Sequence, residues 1–364
     1  MVLPRTYAHE NCGAEAALSR FPVQVLSHMV EAGFELEFIQ WVRLAVLTLC
    51  FGGAAWLDHK TRRVSNEWWW TWVKPTLFLL CLELLILEAS WMIWLTASAV
   101  VAFASTALIG TPNIEDIRNG SKLDIFVTIW YFVSGVGLVM GALEYAPVLI
   151  DYFDPNIYIE SGDPATESAL LWGQMIVMGV VLLFFEMAWR FRMLHGGADA
   201  KAMMLATLLL PSWNGAAFPI LSSSDGISTS MPPALSLLIW AGLAFLVLPL
   251  IMLARNLSAG DISPLSMSWH ASRMPLSEIP EKHVWLLEEV IDKPDGTRGL
   301  TRRMRPVRGS RAETDVEAVL QELSEEGLDK AWVTAKHPFL LFVFPAILPL
   351  VLFGDPIVWI TGYI

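Results

Sequence analysis

Runs of apolar residues long enough to cross a bilayer dominate the chain, and polar segments of very different length separate them. A spanning helix needs about 20 mostly apolar residues. Stretches of that kind fall at roughly 39–57, 72–88, 91–110, 125–143, 169–189, 201–220, 234–253 and 338–358. The short link Glu88-Ala89-Ser90 predicts a helical hairpin between the second and third. The pattern therefore predicts an all-α polytopic membrane protein of about six to eight transmembrane helices. It divides into an N-terminal extracytoplasmic segment (1–38), a membrane core (39–253), a polar insert (254–337) and a C-terminal transmembrane helix (338–364).

The insert has a different texture. Val316, Val319, Leu320 and Leu323 recur at helical spacing, with Thr314 or Asp315 placed to cap the start and Gly327 the end. Pro294-Asp295-Gly296 marks a turn between two short strands, so a small α+β unit is expected here. Its arginines, Arg302, Arg303, Arg305, Arg308 and Arg311, suit either anionic lipid or a solvated loop.

Composition narrows the class. At 55% hydrophobic and 16% charged residues, with mean hydropathy +0.51, the chain lies far from a soluble domain, in which about a quarter of residues are charged. Its 17 Trp residues include the run Trp68, Trp69, Trp70, Trp72, as in an interfacial aromatic belt. The net charge of -12 argues against a nucleic-acid partner. Cys12, Cys50 and Cys81 are too scattered for a disulfide framework or a four-thiolate zinc site, and burial is the ordinary role of Cys50 and Cys81. The first forty residues lack a basic start followed by an apolar run, so no cleavable signal is expected.

Beyond residue 57, every Lys and Arg falls at alternate connections: 58–74, 111–124, 190–201 and the insert. The connection 144–168 instead carries Glu144, Asp151, Asp154, Glu160, Asp163 and Glu167. Basic residues are retained on the cytoplasmic side, so both termini are expected outside and 254–337 in the cytoplasm of a plasma-membrane protein.

Two polar motifs fall on that cytoplasmic face. Asp58-His59-Lys60-Thr61-Arg62-Arg63-Val64-Ser65-Asn66 follows the first apolar run, and His195-Gly196-Gly197-Ala198-Asp199-Ala200-Lys201 precedes the sixth. Four predicted helices lie between them, and an even number returns the chain to the same side. Two carboxylates brought together share a proton, one serving as general base on a water and the other as general acid. The glycines before Asp199 leave a backbone without Cβ atoms for a substrate to approach. Taken singly, an Asp at a helix end beside basic residues is more often an interfacial charge, and Gly-Gly more often a turn. His195 suits a surface neighbour better than a base, and Lys60–Arg63 suits a topology signal. Glu83 and Glu186 within apolar spans suit structural hydrogen bonding first and a proton or ion path second.

At these residues the chain resembles the archaeal type IV prepilin and preflagellin peptidases, membrane aspartic proteases of the Gly-x-Gly-Asp class. Asp58, Lys60, Arg62, Arg63, Asn66 and Trp68 match the first motif of that family, and Gly196, Ala198, Asp199 and Lys201 the second. Trp332-Val333-Thr334, leading through Pro338-Phe339 to Gly354-Asp355-Pro356, looks like its C-terminal helix. Ala198 and Ser65 depart from the strict pattern, and the predicted spans exceed the six usual in the family. The resemblance implies Asp58 and Asp199 as catalytic acids, with Gly196, Gly197, Ala198, Lys201, Lys60, Arg62 and Asn66 in support. With no Cys-x-x-Cys pair and no His-Glu-x-x-His motif in the sequence, no metal and no cofactor are expected, and the resemblance implies as partners a pilin-like or archaellin precursor and the lipid bilayer. The cut would fall between a short basic leader and an apolar helix. A transporter using Asp58, Glu83, Glu186 and Asp199 as an ion path is the competing class, against which no pair of matching interrupted helices suggests inverted repeats. A non-catalytic membrane scaffold is the third.

Overall fold

A computed structural model describes residues 23–154, 163–194, 196–213, 218–221, 231–292, 298–307 and 311–361. The turn expected at Pro294-Asp295-Gly296 and His195 lie outside the described residues. Long helices dominate: α1 Val23–Thr61, α2 Asn66–Ile86, α3 Trp91–Ile109, α4 Lys122–Phe153, α5 Pro164–Arg190, α6 Gly197–Leu209 and α7 Pro233–Ala259. Side chains that can accept from a free N–H start several of them. Ser90 accepts from Ile93, Ser121 from Asp124 and Asp163 from Thr166, each across three residues. The hairpin between α2 and α3 turns through Glu88, held at φ 47°, as the Ala89 N–H donates back to the Leu84 carbonyl.

Among the described residues, six helices are long and apolar enough to cross a membrane: Glu35–Thr61 within α1, then α2, α3, α4, α5 and α7. The other two predicted spans are shorter than expected. Instead of 201–220, α6 stops at Leu209, because Pro211 restricts the residue before it and cannot continue the ladder. Instead of 338–358, α9 covers Leu340–Phe353 and ends at Gly354, whose φ of +69° is left-handed. At 1.5 Å per residue each is roughly 20 Å long, short of the ~30 Å hydrocarbon core. Two helices also outrun the apolar pattern. Helix α1 begins at Val23, and α4 continues to Phe153, so the acidic connection expected from 144 begins as helix.

The chain forms two compact units. The first takes residues through Ala54, Arg63–Ser236 and Leu348–Ile364. Within it α3, α4 and α5 pack mutually, and α6 packs on α2 and α5. Lipid tails are as apolar as leucine, so close approach and polar contacts must hold such helices together. Gly137 on α4 is one: a Cβ there would lie 2.1 Å from the Leu95 Cβ. One turn on, a Cβ at Gly141 would lie 2.6 Å from the Trp172 indole nitrogen, which itself donates to Thr96 Oγ1 at 3.2 Å. Trp130 donates to Ser98, whose hydroxyl pairs with that of Ser134, both at 2.8 Å, and Ser105 pairs with Tyr131 at 2.9 Å. The far side of α4 exposes Phe132 and Leu143, a surface suited to lipid rather than water.

The second unit combines Ala55–Arg62 with Leu237–Ile347. Its strands are β1 Ser272–Pro275, β2 Val284–Leu286, β3 Glu288–Asp292, β4 Arg298–Arg302 and β5 Lys330–Ala335. An antiparallel sheet runs β1-β5-β2, with Ser272 opposite Val333 and Trp285 opposite Thr334, and β3 pairs with β4 as a two-stranded ribbon. Helix α8, Val316–Glu325, is capped by Asp315 and buries Val319, Leu320 and Leu323 with Leu286, Val290 and Val333, and Gly327 follows it at φ +82°. Asn256 near the end of α7 donates to the Ser268 and Ala271 carbonyls at 2.9 and 2.7 Å, fixing where the chain enters the sheet.

Candidate active site

Asp199 owes its setting to the residues before it. Gly196 caps α6, and its N–H donates to Asp199 Oδ2 at 3.1 Å while its carbonyl receives the Asp199 and Ala200 amides. A carboxylate on the first turn of a helix also lies where the helix dipole favours negative charge. A Cβ at Gly196 would sit 2.6 Å from Asp199 Oδ2 and 3.0 Å from its Cγ, so the acid itself fills the space the glycine leaves. The open backbone expected for a substrate is thus closed by the acid at this position. Gly197 differs, since a Cβ there meets only the Trp189 ring at 3.8 Å, an ordinary contact. From Ala200 onward α6 is nearly all buried, which holds the acid's helix firmly.

Lys201, two residues beyond the acid, reaches the other motif. Its ammonium donates to Asn66 Oδ1 at 2.7 Å, joining residues 135 apart in sequence. Asn66 opens α2, and two residues on the Trp68 indole lies over Gly53, where a Cβ would be 2.4 Å from the ring. Of the residues expected to support the two acids, Lys201 and Asn66 are therefore brought together.

Asp58 belongs to the second unit and Asp199 to the first. Asp58 lies in the last turn of α1, where its carbonyl receives the Arg62 amide at 3.1 Å. Its carboxyl meets the Arg62 guanidinium charge and a hydrogen bond from the backbone N–H of Leu340, the first residue of α9. Arg62 bends back at φ 56°, and its Nε and Nη1 are buried without a partner among the described residues. The same guanidinium faces His337, which stacks edge-on with Phe245 and Phe342 at centroid distances of 6.5 and 6.2 Å. Burial first, and Arg62 second, hold this imidazole below the ordinary histidine range. Lys60 instead lays its ammonium 4.7 Å from the Trp56 ring centre, a cation–π contact at the helix end. Ala198 lies between the glycines and the acid on the first turn of α6.

The sequence reading passed over the partner of Glu83. Arg43 on α1, fully buried, donates to Glu83 at 2.8 Å and to the Leu79 carbonyl at 3.3 Å. An arginine inside an apolar run was the available signal. Glu186 pairs with Arg190 one turn along at 2.7 Å.

Residues 263–356 match the family model described as archaeal peptidase A24 C-terminus type II. That match supports the archaeal prepilin and preflagellin peptidase family. It covers about a quarter of the chain, from the sheet unit through α9 to Pro356, and both candidate acids lie outside it. No curated protein matches the chain. The A24 domain supports a prepilin-type peptidase and hence protease activity, and with the six apolar helices it makes this a multi-pass membrane protein.

Proposed function

We propose that the chain is a membrane aspartic endopeptidase that removes a short basic leader from pilin-like or archaellin precursors at the cytoplasmic membrane face. The observation that carries this reading is the Lys201–Asn66 hydrogen bond, which ties the segment after Asp199 to the segment after Asp58. Four long helices, α2 to α5, lie between the motifs, an even number that supports one membrane face for both acids. The basic connections at 58–74, 111–124 and 190–201 support the cytoplasm as that face.

In this reading one carboxylate takes a proton from water as it attacks the scissile carbonyl, while the other, protonated, donates to the carbonyl oxygen; as the C–N bond breaks, the first acid gives its proton to the leaving nitrogen and the second takes one back from the gem-diol. Asp199 is held by the Gly196 N–H, and Asp58 by the Leu340 N–H and the Arg62 charge. No metal or cofactor enters the reaction. The cut leaves the precursor's apolar helix in the bilayer and its basic leader in the cytoplasm.

Asp58→Asn and Asp199→Asn test it. Each keeps the side-chain shape and removes the exchangeable proton, so each is expected to reduce precursor processing to background in protein that remains folded and inserted. The double variant is expected to be no worse than either single one, as for groups acting as one unit. The assay is leader removal, read by mass, per folded protein. Near-normal turnover by either variant would refute that residue's assignment.

A further inference from the structure

The first unit contains an apolar cavity of about 180 Å³ that neither acid lines. Three indoles, Trp69, Trp70 and Trp130, form much of its wall, and α6 contributes Lys201, Met204 and Leu208 along one helical face. The lining comes from the start of α2, the end of α3, the early turns of α4 and the start of α6. All of these lie at the end of the bundle where the basic connections run. Lys201 is the only charged residue among the lining, and its ammonium is the one bonded to Asn66. Lys201, two residues along α6 from Asp199, therefore brings the polar edge of the cavity to the link between the two motifs.

Size and polarity restrict the occupant. An apolar cavity of about 150 Å³ stays dry and binds a benzene-sized molecule, so this one suits a single large apolar side chain. It would admit only a few carbons of a lipid tail. A peptide held at Asp199 would run beside the first turns of α6 that border this cavity, and its apolar residues are those on the side of the cut that stays in the membrane.

We infer that this cavity is a specificity pocket for one large apolar side chain of the precursor, Leu, Ile, Met or Phe, in the segment that follows the scissile bond. The inference rests on the peptidase reading for its substrate. Lys201 at the rim is positioned to receive a backbone carbonyl of the same segment.

The test uses the full-length protein in vesicles and a synthetic peptide with a Lys/Arg-rich leader and an apolar helix. A benzophenone side chain is placed at successive positions after the cut. Cross-linking to Ala104, Trp130 or Met204 from one position only, competed by unlabelled peptide, is the expected result. A second arm compares peptides carrying Leu or Ala at that position. Filling the pocket with Ala104→Leu, or independently Ala107→Leu, is expected to lower kcat/KM at least tenfold more for the Leu peptide than for the Ala peptide. Cross-links scattered over positions, equal losses for both peptides, or a tail-labelled phospholipid that captures these residues and resists displacement would each overturn the pocket. Leader cleavage without pocket cross-linking would sink this inference and leave the peptidase standing. Pocket cross-linking without cleavage would overturn the peptidase reading and, with it, the pocket's role in selecting a cleavage substrate.

Discussion

Gly196→Ala and Gly197→Ala add the same methyl group at adjacent positions, and the geometry around them predicts opposite results. The new Cβ at residue 196 would lie 2.6 Å from Asp199 Oδ2, far inside van der Waals contact. The backbone is rigid here because Asp199 and Ala200 both donate to the Gly196 carbonyl, so the carboxylate must move. Moving it breaks the 3.1 Å bond from the Gly196 N–H. A hydrogen bond to a charged group contributes about 1.5–3 kcal/mol. If the displaced acid is catalytic, that becomes a loss of roughly ten- to a hundredfold in rate. At residue 197 the methyl meets an indole at 3.8 Å, and alanine in a first helical turn is favoured over glycine by about 0.5–1 kcal/mol. Gly197→Ala should thus process precursor within about threefold of the parent and melt slightly higher. The measurement is kcat/KM for leader removal beside thermal unfolding of each variant. Equal losses at both positions would refute the argument, as would a fully active Gly196→Ala protein. The first outcome would point to a need for backbone freedom, the second to an acid whose position is immaterial.

Two further predictions concern charge. Arg43→Met or Glu83→Gln alone leaves a buried ion without its partner and should cost about 3–5 kcal/mol, whereas the double change to Met should be close to neutral; melting in detergent checks this, and additive losses would count against the pair. Because the His337 imidazole is held below its usual value of 6.5, the unfolded chain binds its proton first as pH falls. Stability should therefore decline below about pH 6.5 and level off once the folded imidazole is also protonated, and His337→Gln should flatten that decline; an unchanged pH profile in the variant would show that another group is responsible.

Much of the architecture could be read from one sequence because apolar length and capping residues are local properties. The link Glu88-Ala89-Ser90 is the tight turn that its length implied, and Val316 to Leu323 showed their buried face by spacing alone. The lengths of α6 and α9 were misjudged because hydropathy does not register what stops a helix. Pro211 and the left-handed Gly354 did so within sequences that remain apolar. The candidate acids drew notice by their motifs, which also hold Arg62 and Gly196, but the long-range partners of the acids did not. Arg43 meets Glu83 across forty positions, and the Leu340 amide meets Asp58 across most of the chain. Such pairs depend on which helices become neighbours, which no local pattern encodes. Nor could spacing reveal that the room beside Gly196 is taken by the acid three residues on.

The second unit is assembled from two segments far apart in sequence, since Ala55–Arg62 joins Leu237–Ile347. During synthesis the segment bearing Asp58 leaves the ribosome early and must wait for its neighbours. The Leu340 amide that bonds its carboxyl is made only after every helix through α7. A nascent chain already holding every helix through α7 would still lack that donor. The setting of Asp58 is therefore completed only after translation has passed the sheet and reached α9.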